Sequence, residues 1–290
     1  MKRIRLGKKN FLRKRQNKER KNDPTPSTQT ATLNDKPQTK KLDSNNQYPM
    51  KKTINFITQS KGGVGKSTFT YMIANKVMKE NATNAVFFDM DPESQSTLQL
   101  CDFTNPSKVD LLKSNESDID RTKFDDFLYD FAEQTTYNEC FCDMGAETSK
   151  HFVRYLQGDG VLEVIEDIKS MNIQVNVYCV LGGNGDFFPS IQYCEELFGA
   201  SKEVFSPCIV MNRYYQYKVD AIDKINEVAN QFDAEVREFR VLHEEGTEAM
   251  SQILQIMGEG KPAYTEAKRG AKIRFNSVLD DFIFRLPSLN

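Results

Sequence analysis

With 290 residues, 39% of them hydrophobic and 20 of them Phe, the chain can bury a sizeable core, enough for one large domain or two small ones. No apolar run approaches the ~20 residues that span a bilayer. The basic start lacks the apolar h-region of a secretory signal, and the six cysteines (Cys101, Cys140, Cys142, Cys179, Cys194, Cys208) lack zinc-finger or disulfide-framework spacing, so the sequence reads as a reduced, cytoplasmic protein.

The net charge of −2 conceals a division. Residues 1–50 carry 14 Lys/Arg against 4 Asp/Glu, whereas the remaining 240 carry 25 against 37. Residues 1–21 hold eleven Lys/Arg and one acid, Glu19. From Asn22 to Pro49 the chain is rich in Thr, Ser, Gln, Asn and Pro. Such a stretch cannot bury enough apolar surface to offset its ordering entropy, which predicts a disordered basic tail over 1–50 and a folded domain over 51–290. The basic tip has two readings: a solvated tail that aids solubility, or an anchor for nucleic acid, anionic lipid or an acidic protein.

The folded part opens on the apolar strand Thr53–Thr58. Next comes Ser60-Lys61-Gly62-Gly63-Val64-Gly65-Lys66-Ser67-Thr68. A helical pattern follows to Lys79, with Phe69, Met72, Ile73 and Val77 on one face. Strand, glycine-rich turn and helix form the context a phosphate-binding loop requires. Glycines let successive backbone N–H groups face phosphate oxygens, and the positive helix end adds to the attraction. Lys66 then reaches the β- and γ-phosphates, and the Ser67 hydroxyl ligates Mg²⁺.

The general pattern has Gly where Ser60 stands, and here a second lysine, Lys61, precedes the glycines. The string Lys61 to Thr68 resembles the deviant Walker A motif of the ParA/MinD family of ATPases. The resemblance implies ATP and Mg²⁺ as cofactors, with Gly62, Gly63, Val64, Gly65, Lys66, Ser67 and Thr68 holding the nucleotide. It also implies that Lys61 crosses to a partner's nucleotide, so that ATP joins two copies and hydrolysis releases them.

A second apolar run, Ala85–Phe88, ends in Asp89-Met90-Asp91-Pro92. It reads as a buried parallel strand whose carboxyl end carries chemistry. It resembles the family's Asp-x-Asp-Pro signature, with Glu93 where Gln is usual. By that resemblance Asp91 positions the attacking water and Asp89 lies near the Mg²⁺ shell. The alternative is a turn closed by Asp-Pro. Val109–Leu112 reads as a short strand, and Ile119–Glu133 as a helix with Phe124, Phe127, Leu128 and Phe131 on its core face.

The third signature is the strand Glu139–Cys142 ending in Asp143, the Walker B arrangement, whose carboxylate can hold Mg²⁺ through its water shell. Glu147-Thr148-Ser149 becomes a second switch. Lys150–Lys169 reads as two helices broken near Gly158 and Gly160. Val175–Leu181 is a strand, with a Gly182–Gly185 loop and a helix over 186–198. Cys208–Tyr214 is another strand, and Asn212 near its end either reads the adenine edge or caps a turn. The helix Val219–Phe232, the strand Glu235–Leu242 and the helix Thr247–Met257 continue the alternation. The segment Tyr264–Leu286 carries Val278, Leu279, Phe282, Ile283 and Leu286 on one face. Asp280 and Asp281 beside it disfavour anionic lipid, so docking onto the domain is the reading taken over a MinD-like membrane helix.

The alternation of strand and helix predicts an α/β fold, a mostly parallel sheet with helices on both faces. The resemblance implies an ATPase that positions or segregates DNA, as in plasmid partition or as an accessory of conjugative transfer. It further implies an ATP-dependent homodimer, nonspecific DNA contact and an adaptor protein that stimulates hydrolysis. A membrane-associated positioning ATPase and a non-hydrolysing ATP-binding adaptor are the alternatives.

Overall fold

Strand β1 (Lys52–Thr58) explains the architecture in miniature. Thr53 to Thr58 are all buried, which happens when both faces of a strand are covered. The structure, a computed structural model, describes residues 51–80, 84–114, 118–201, 204–239, 247–259 and 261–281. The expected tail over 1–50 lies outside them.

After β1 come α1 (Lys66–Lys79), β2 (Ala85–Met90), α2 (Ser96–Leu100), β3 (Ser107–Lys108), α3 (Arg121–Glu133) and β4 (Glu139–Met144). Two helices follow, α4 (Ala146–Leu156) and α5 (Val161–Ser170), then β5 (Ile173–Leu181), α6 (Phe187–Ser201), β6 (Ser206–Asn212), α7 (Val219–Phe232) and β7 (Glu235–Phe239). The last elements are α8 (Glu248–Glu259), α9 (Lys261–Glu266) and α10 (Arg269–Asp281).

The seven strands pair in the order β3-β2-β4-β1-β5-β6-β7. Every pair is parallel, so the sheet is wholly rather than mostly parallel. From β1 the chain crosses to β2 on one side, and from β4 it crosses to β5 on the other. The crevice at a strand-order reversal is where open α/β sheets bind ligands. Register then aligns the chemistry: Asp143 pairs with Ile57 of β1 and with Asp89 of β2.

Alternate residues of each strand feed two cores. On one face Ile54, Phe56, Cys140, Cys142, Val175 and Val177 pack beneath α3 to α7. There Phe56 lies 5.7 Å from Phe124 and 5.2 Å from Phe152, ring to ring. On the other face Ile57, Phe87, Phe141, Tyr178 and Val180 pack with residues of α1, α2, α8 and α10. All six cysteines are buried free thiols.

Most predicted elements are found with shifted bounds, and residues 240–242 of the strand expected over Glu235–Leu242 lie outside the described residues. The expected strand at Val109–Leu112 is instead a pairing at Ser107–Lys108 and an isolated antiparallel bridge from Leu112 to Ile119. Leu111 and Leu112 are apolar because they pack into the core from a loop. Strand β6 stops at Asn212, two residues early, where a turn begins. Helix α4 starts at Ala146, so Glu147, Thr148 and Ser149 form its first turn. Over its described residues the final segment is two helices, α9 and α10. Phe275 of α10 is buried with its ring 6.0 Å from that of Tyr71, and Asp280 pairs with Lys79. Phe282, Ile283 and Leu286 lie outside the described residues. No described helix is long and apolar enough to cross a membrane.

Candidate phosphate-binding site

The loop between β1 and α1 owes its shape to two glycines with positive φ, Gly63 at 74° and Gly65 at 103°. A side chain at either position would be strained. Gly65 is the N-cap of α1 and offers no side-chain acceptor. The first-turn N–H groups of Lys66, Ser67 and Thr68 therefore remain directed at whatever anion occupies the loop.

Lys66 is almost wholly buried, and its Nζ donates to the Lys61 carbonyl at 3.2 Å. Burial lowers its pKa, while Asp143 and Asp91 pull the other way. Lys61, by contrast, is half-exposed and pairs with Asp186 at 3.0 Å. Residues Gly62 to Thr68 (Val64 excepted) line a cavity of about 610 Å³, together with Asp91, Glu93, Ser94, Ala146 and Glu147. Val64 faces the core instead.

Three carboxylates stand on the β2–β4 side. Asp89 is fully buried; its Oδ1 accepts the Asp91 N–H and its Oδ2 the Leu98 N–H, each at 2.9 Å. Both oxygens thus brace the segment from Asp91 to α2. Burial raises its pKa against the pull of those two N–H groups. Asp91 uses its Oδ1 on the N–H groups of Glu93 (2.9 Å) and Ser94 (3.2 Å), and its Oδ2 on the Ser94 hydroxyl. Burial pushes the Asp91 pKa up, but the Ser94 and Glu93 donors with Lys66 more than offset it and the net shift is downward. Gly145 permits this packing, since a Cβ there would lie 2.6 Å from the Asp91 Cγ.

Asp143 is the exception. Thr97 donates to its Oδ2 at 2.7 Å, but its buried Oδ1 has no hydrogen-bond partner. Burial pushes this carboxyl up to about 6, against the Ser67 and Thr97 hydroxyls and the Lys66 charge. A buried carboxylate oxygen left without a donor costs about 1–3 kcal/mol or more. An oxygen held in that state beside Ser67 and Lys66 fits a cation with its water shell, and the hard-oxygen donor set suits Mg²⁺.

On the β5–β6 side the polar groups are satisfied, and the one acid at the loop after β5, Asp186, is paired with Lys61. Asn212 donates to the Val64 carbonyl at 2.9 Å and accepts the Tyr214 N–H at 3.1 Å. Both ends of its amide are therefore engaged by the turn and the loop. Tyr215 donates to the Gly63 carbonyl at 3.2 Å.

Beneath the loop lies a network absent from the sequence reading. Gln59, fully buried, donates to the Val180 (3.2 Å) and Ser190 (3.1 Å) carbonyls and accepts the Ser60 N–H at 2.8 Å. Thr58 donates to the Ser149 hydroxyl at 2.9 Å, and Tyr193 to the Ser149 carbonyl at 2.9 Å. A Thr-Gln pair closing an apolar strand was the available signal, since buried polar groups need partners.

No protein-family model and no curated protein matches this sequence. Among solved structures, the chain is similar to a ParA family ATPase from Chlorobium tepidum TLS, at 14% identity and a TM-score of 0.47, over 79% of this chain and 97% of that one. It is similar to the MinC:MinD cell division protein complex of Aquifex aeolicus, at 14% identity and 0.44, over 81% and 98%. A plasmid partition protein from Borrelia burgdorferi matches at 15% identity and 0.37, over 71% and 96%.

Proposed function

We propose that this chain is a Mg²⁺-dependent ATPase of the ParA/MinD type, which pairs with a second copy when ATP binds and positions or segregates DNA. The observation that carries the nucleotide reading is the juxtaposition of buried Lys66, the uncapped start of α1 and the partnerless Asp143 Oδ1 in one crevice. Gly62 to Thr68 would cradle the phosphates, Lys66 and Lys61 would neutralise their charge, and Ser67 and Asp143 would hold the metal, with Asp89 behind them. Bound Mg²⁺ would supply charge neutralisation on the phosphates. Asp91 would orient the attacking water, and Asn212 would meet the base by releasing one of its present partners.

DNA contact follows from charge. The chain from residue 51 onward carries a net −12, so nonspecific attraction to phosphates falls to the eleven cations of residues 1–21 or to a surface built by pairing. A DNA partition or conjugative-transfer cargo, a stimulating adaptor and a cytoplasmic location belong to this same reading. A membrane role is disfavoured by α10, whose Phe275 and Leu279 are already buried against the domain.

The test measures duplex DNA binding at fixed salt with ATP, ADP or no nucleotide. Full-length protein is compared with a full-length variant whose eleven Lys/Arg in residues 1–21 are Gln. Binding that needs ATP and survives in the variant supports a DNA site made by pairing. Binding that ignores nucleotide and vanishes in the variant makes the tail a tether. No binding in any state removes DNA from the function, and no phosphate release with ATP bound leaves a non-hydrolysing adaptor.

A further inference from the structure

We propose that Thr97 is a positioning residue of the metal site: its hydroxyl pins one oxygen of Asp143 so that the other remains for the cation. The assignment rests on the Mg²⁺-dependent ATPase reading above. Thr97 and Asp143 are 0% and 2% exposed, so bulk water steers neither. The Thr97 hydroxyl donates to Asp143 Oδ2 at 2.7 Å, and Oδ1 has no hydrogen-bond partner. The terminal torsion of an aspartate is broad and roughly two-fold. A carboxyl at the end of a rigid strand can therefore still turn about that bond, and a short hydrogen bond to one oxygen decides where the other points.

The chain delivers Thr97 to this place from β2, across from the strand that carries Asp143. Gln95 adopts a left-handed φ of 49° and turns the chain into α2 two residues ahead of Thr97. Asp89 Oδ2 accepts the N–H of Leu98, the next residue, at 2.9 Å. Leu100 and Cys101 bury the far end of α2 in the core that holds Phe69 and Met72 of α1. A separate tie runs from the Thr148 hydroxyl of α4 to the Met90 carbonyl of β2 at 2.9 Å. Thr97 thus rides on a braced segment, and the two strand ends stay fastened without its hydroxyl.

Ser67 also acts on the Asp143 carboxyl. It lines the cavity, and in the proposed site its oxygen has a second duty at the metal. Thr97 stands behind the carboxylate, outside the set of residues that line the cavity. Its β-branched side chain has few χ1 options, which suits a donor that must aim. Carboxylates that hold metals are commonly fixed by hydrogen bonds from behind, and losing such a partner costs about 10- to 100-fold in metal affinity. A hydroxyl that only satisfied a buried carboxylate would contribute to stability alone.

The test titrates Mg²⁺ into the full chain with a fluorescent ATP analogue and repeats the analogue titration in EDTA. Thr97→Val keeps the shape and removes the donor. It is expected to raise the Mg²⁺ midpoint about 10-fold, with the affinity in EDTA unchanged within about two-fold. Thr97→Ser keeps a hydroxyl and should stay closer to the unaltered chain than Thr97→Val does. In an Asp143→Asn background Thr97→Val should shift the midpoint by less than about two-fold, because the group it positions is gone. Thr97→Cys, whose thiol is a weak donor, replaces Thr97→Val if the latter does not fold, with a shift in the same direction expected. A midpoint within two-fold of the unaltered chain overturns the assignment. So does an equal shift in the Asp143→Asn background, or a loss of affinity in EDTA. If the unaltered chain binds the analogue equally well in Mg²⁺ and in EDTA, or binds none, the Mg²⁺-dependent ATPase reading fails first and takes this inference with it.

Discussion

Three aspartates brace the phosphate loop on its β2–β4 side, whereas on its β5–β6 side an amide and a phenol do so, beside an Asp186 already paired with Lys61. The first flank is charged and incompletely satisfied, since Asp143 keeps a buried oxygen without a donor. The second is satisfied: its amide and phenol are spent on the Val64 and Gly63 carbonyls, and Asp186 on Lys61. Cost and use separate along the same line. A buried charge in want of a partner weakens the fold and suits a site that must bind a cation. A neutral hydrogen bond to a loop carbonyl stabilises the loop and leaves no charge for catalysis. Substitutions on the two flanks should therefore differ in kind as well as in size.

The largest effect is expected where the flanks meet. Lys66→Ala should lower ATP affinity roughly 100-fold or more, because it removes the buried cation that faces the phosphates. Titration with a fluorescent ATP analogue reads this directly, and an affinity within a few-fold of the original would remove Lys66 from the site. Asp143→Asn comes next and should show opposite signs in two assays. Phosphate release should fall at least ten-fold. Stability without nucleotide should rise by on the order of 2–3 kcal/mol at neutral pH, given a folded pKa of about 6 against an ordinary 3.8. A carboxyl raised on folding costs stability above its folded pKa. That cost fades as pH falls from 6 toward 3.8, so the stability gain of Asp143→Asn should shrink over the same window. Denaturant melts at several pH values test the sign, and a destabilised variant at neutral pH would overturn it.

The two flanks were not equally visible in the sequence. Lys66, Ser67 and Asp143 could be read because glycines, a lysine and strand-terminal acids sit at fixed offsets from apolar runs. The aromatic face of α3 could be read because Phe124, Phe127, Leu128 and Phe131 follow helical spacing, and all four are buried. Asp89 as a brace could not, since it depends on where α2 turns back to offer the Leu98 N–H. The partners of Gln59, Ser149 and Tyr193 were hidden for a related reason: they come from other strands and helices, so the buried Thr-Gln pair signals a need for partners without naming them. Val109–Leu112 misled because a loop that packs into a core has the same apolar signature as a strand.

On the β5–β6 flank the effects should be structural. Asn212→Ala strips the Val64 carbonyl of its donor in a buried setting, which costs about 1–3 kcal/mol. It should lower the denaturation midpoint and weaken ATP binding through loop disorder, with kcat at saturating ATP largely kept. A fall in kcat at full occupancy would make the amide part of the chemistry.

Tyr215→Phe should give the smallest change and the cleanest reading. The phenol donates to Gly63 at 3.2 Å from a partly exposed position, so water can replace it. A loss of about 0.5–1 kcal/mol or less is expected, since an accessible carbonyl does not stay unsatisfied. The ring should matter more than the hydroxyl, because Tyr215 packs directly on Gly183, where an added Cβ would meet the tyrosine Cβ at 2.1 Å. Comparing Tyr215→Phe with Tyr215→Ala by denaturant midpoint separates the two contributions. If Phe costs as much as Ala, the clamp on the Gly63 carbonyl depends on the hydroxyl, and the β5–β6 flank is held by polar contacts as strictly as the β2–β4 one. If Phe is nearly silent and Ala is not, the loop is held on this side by packing and by Asn212, and the polar demand of the site falls on the β2–β4 flank.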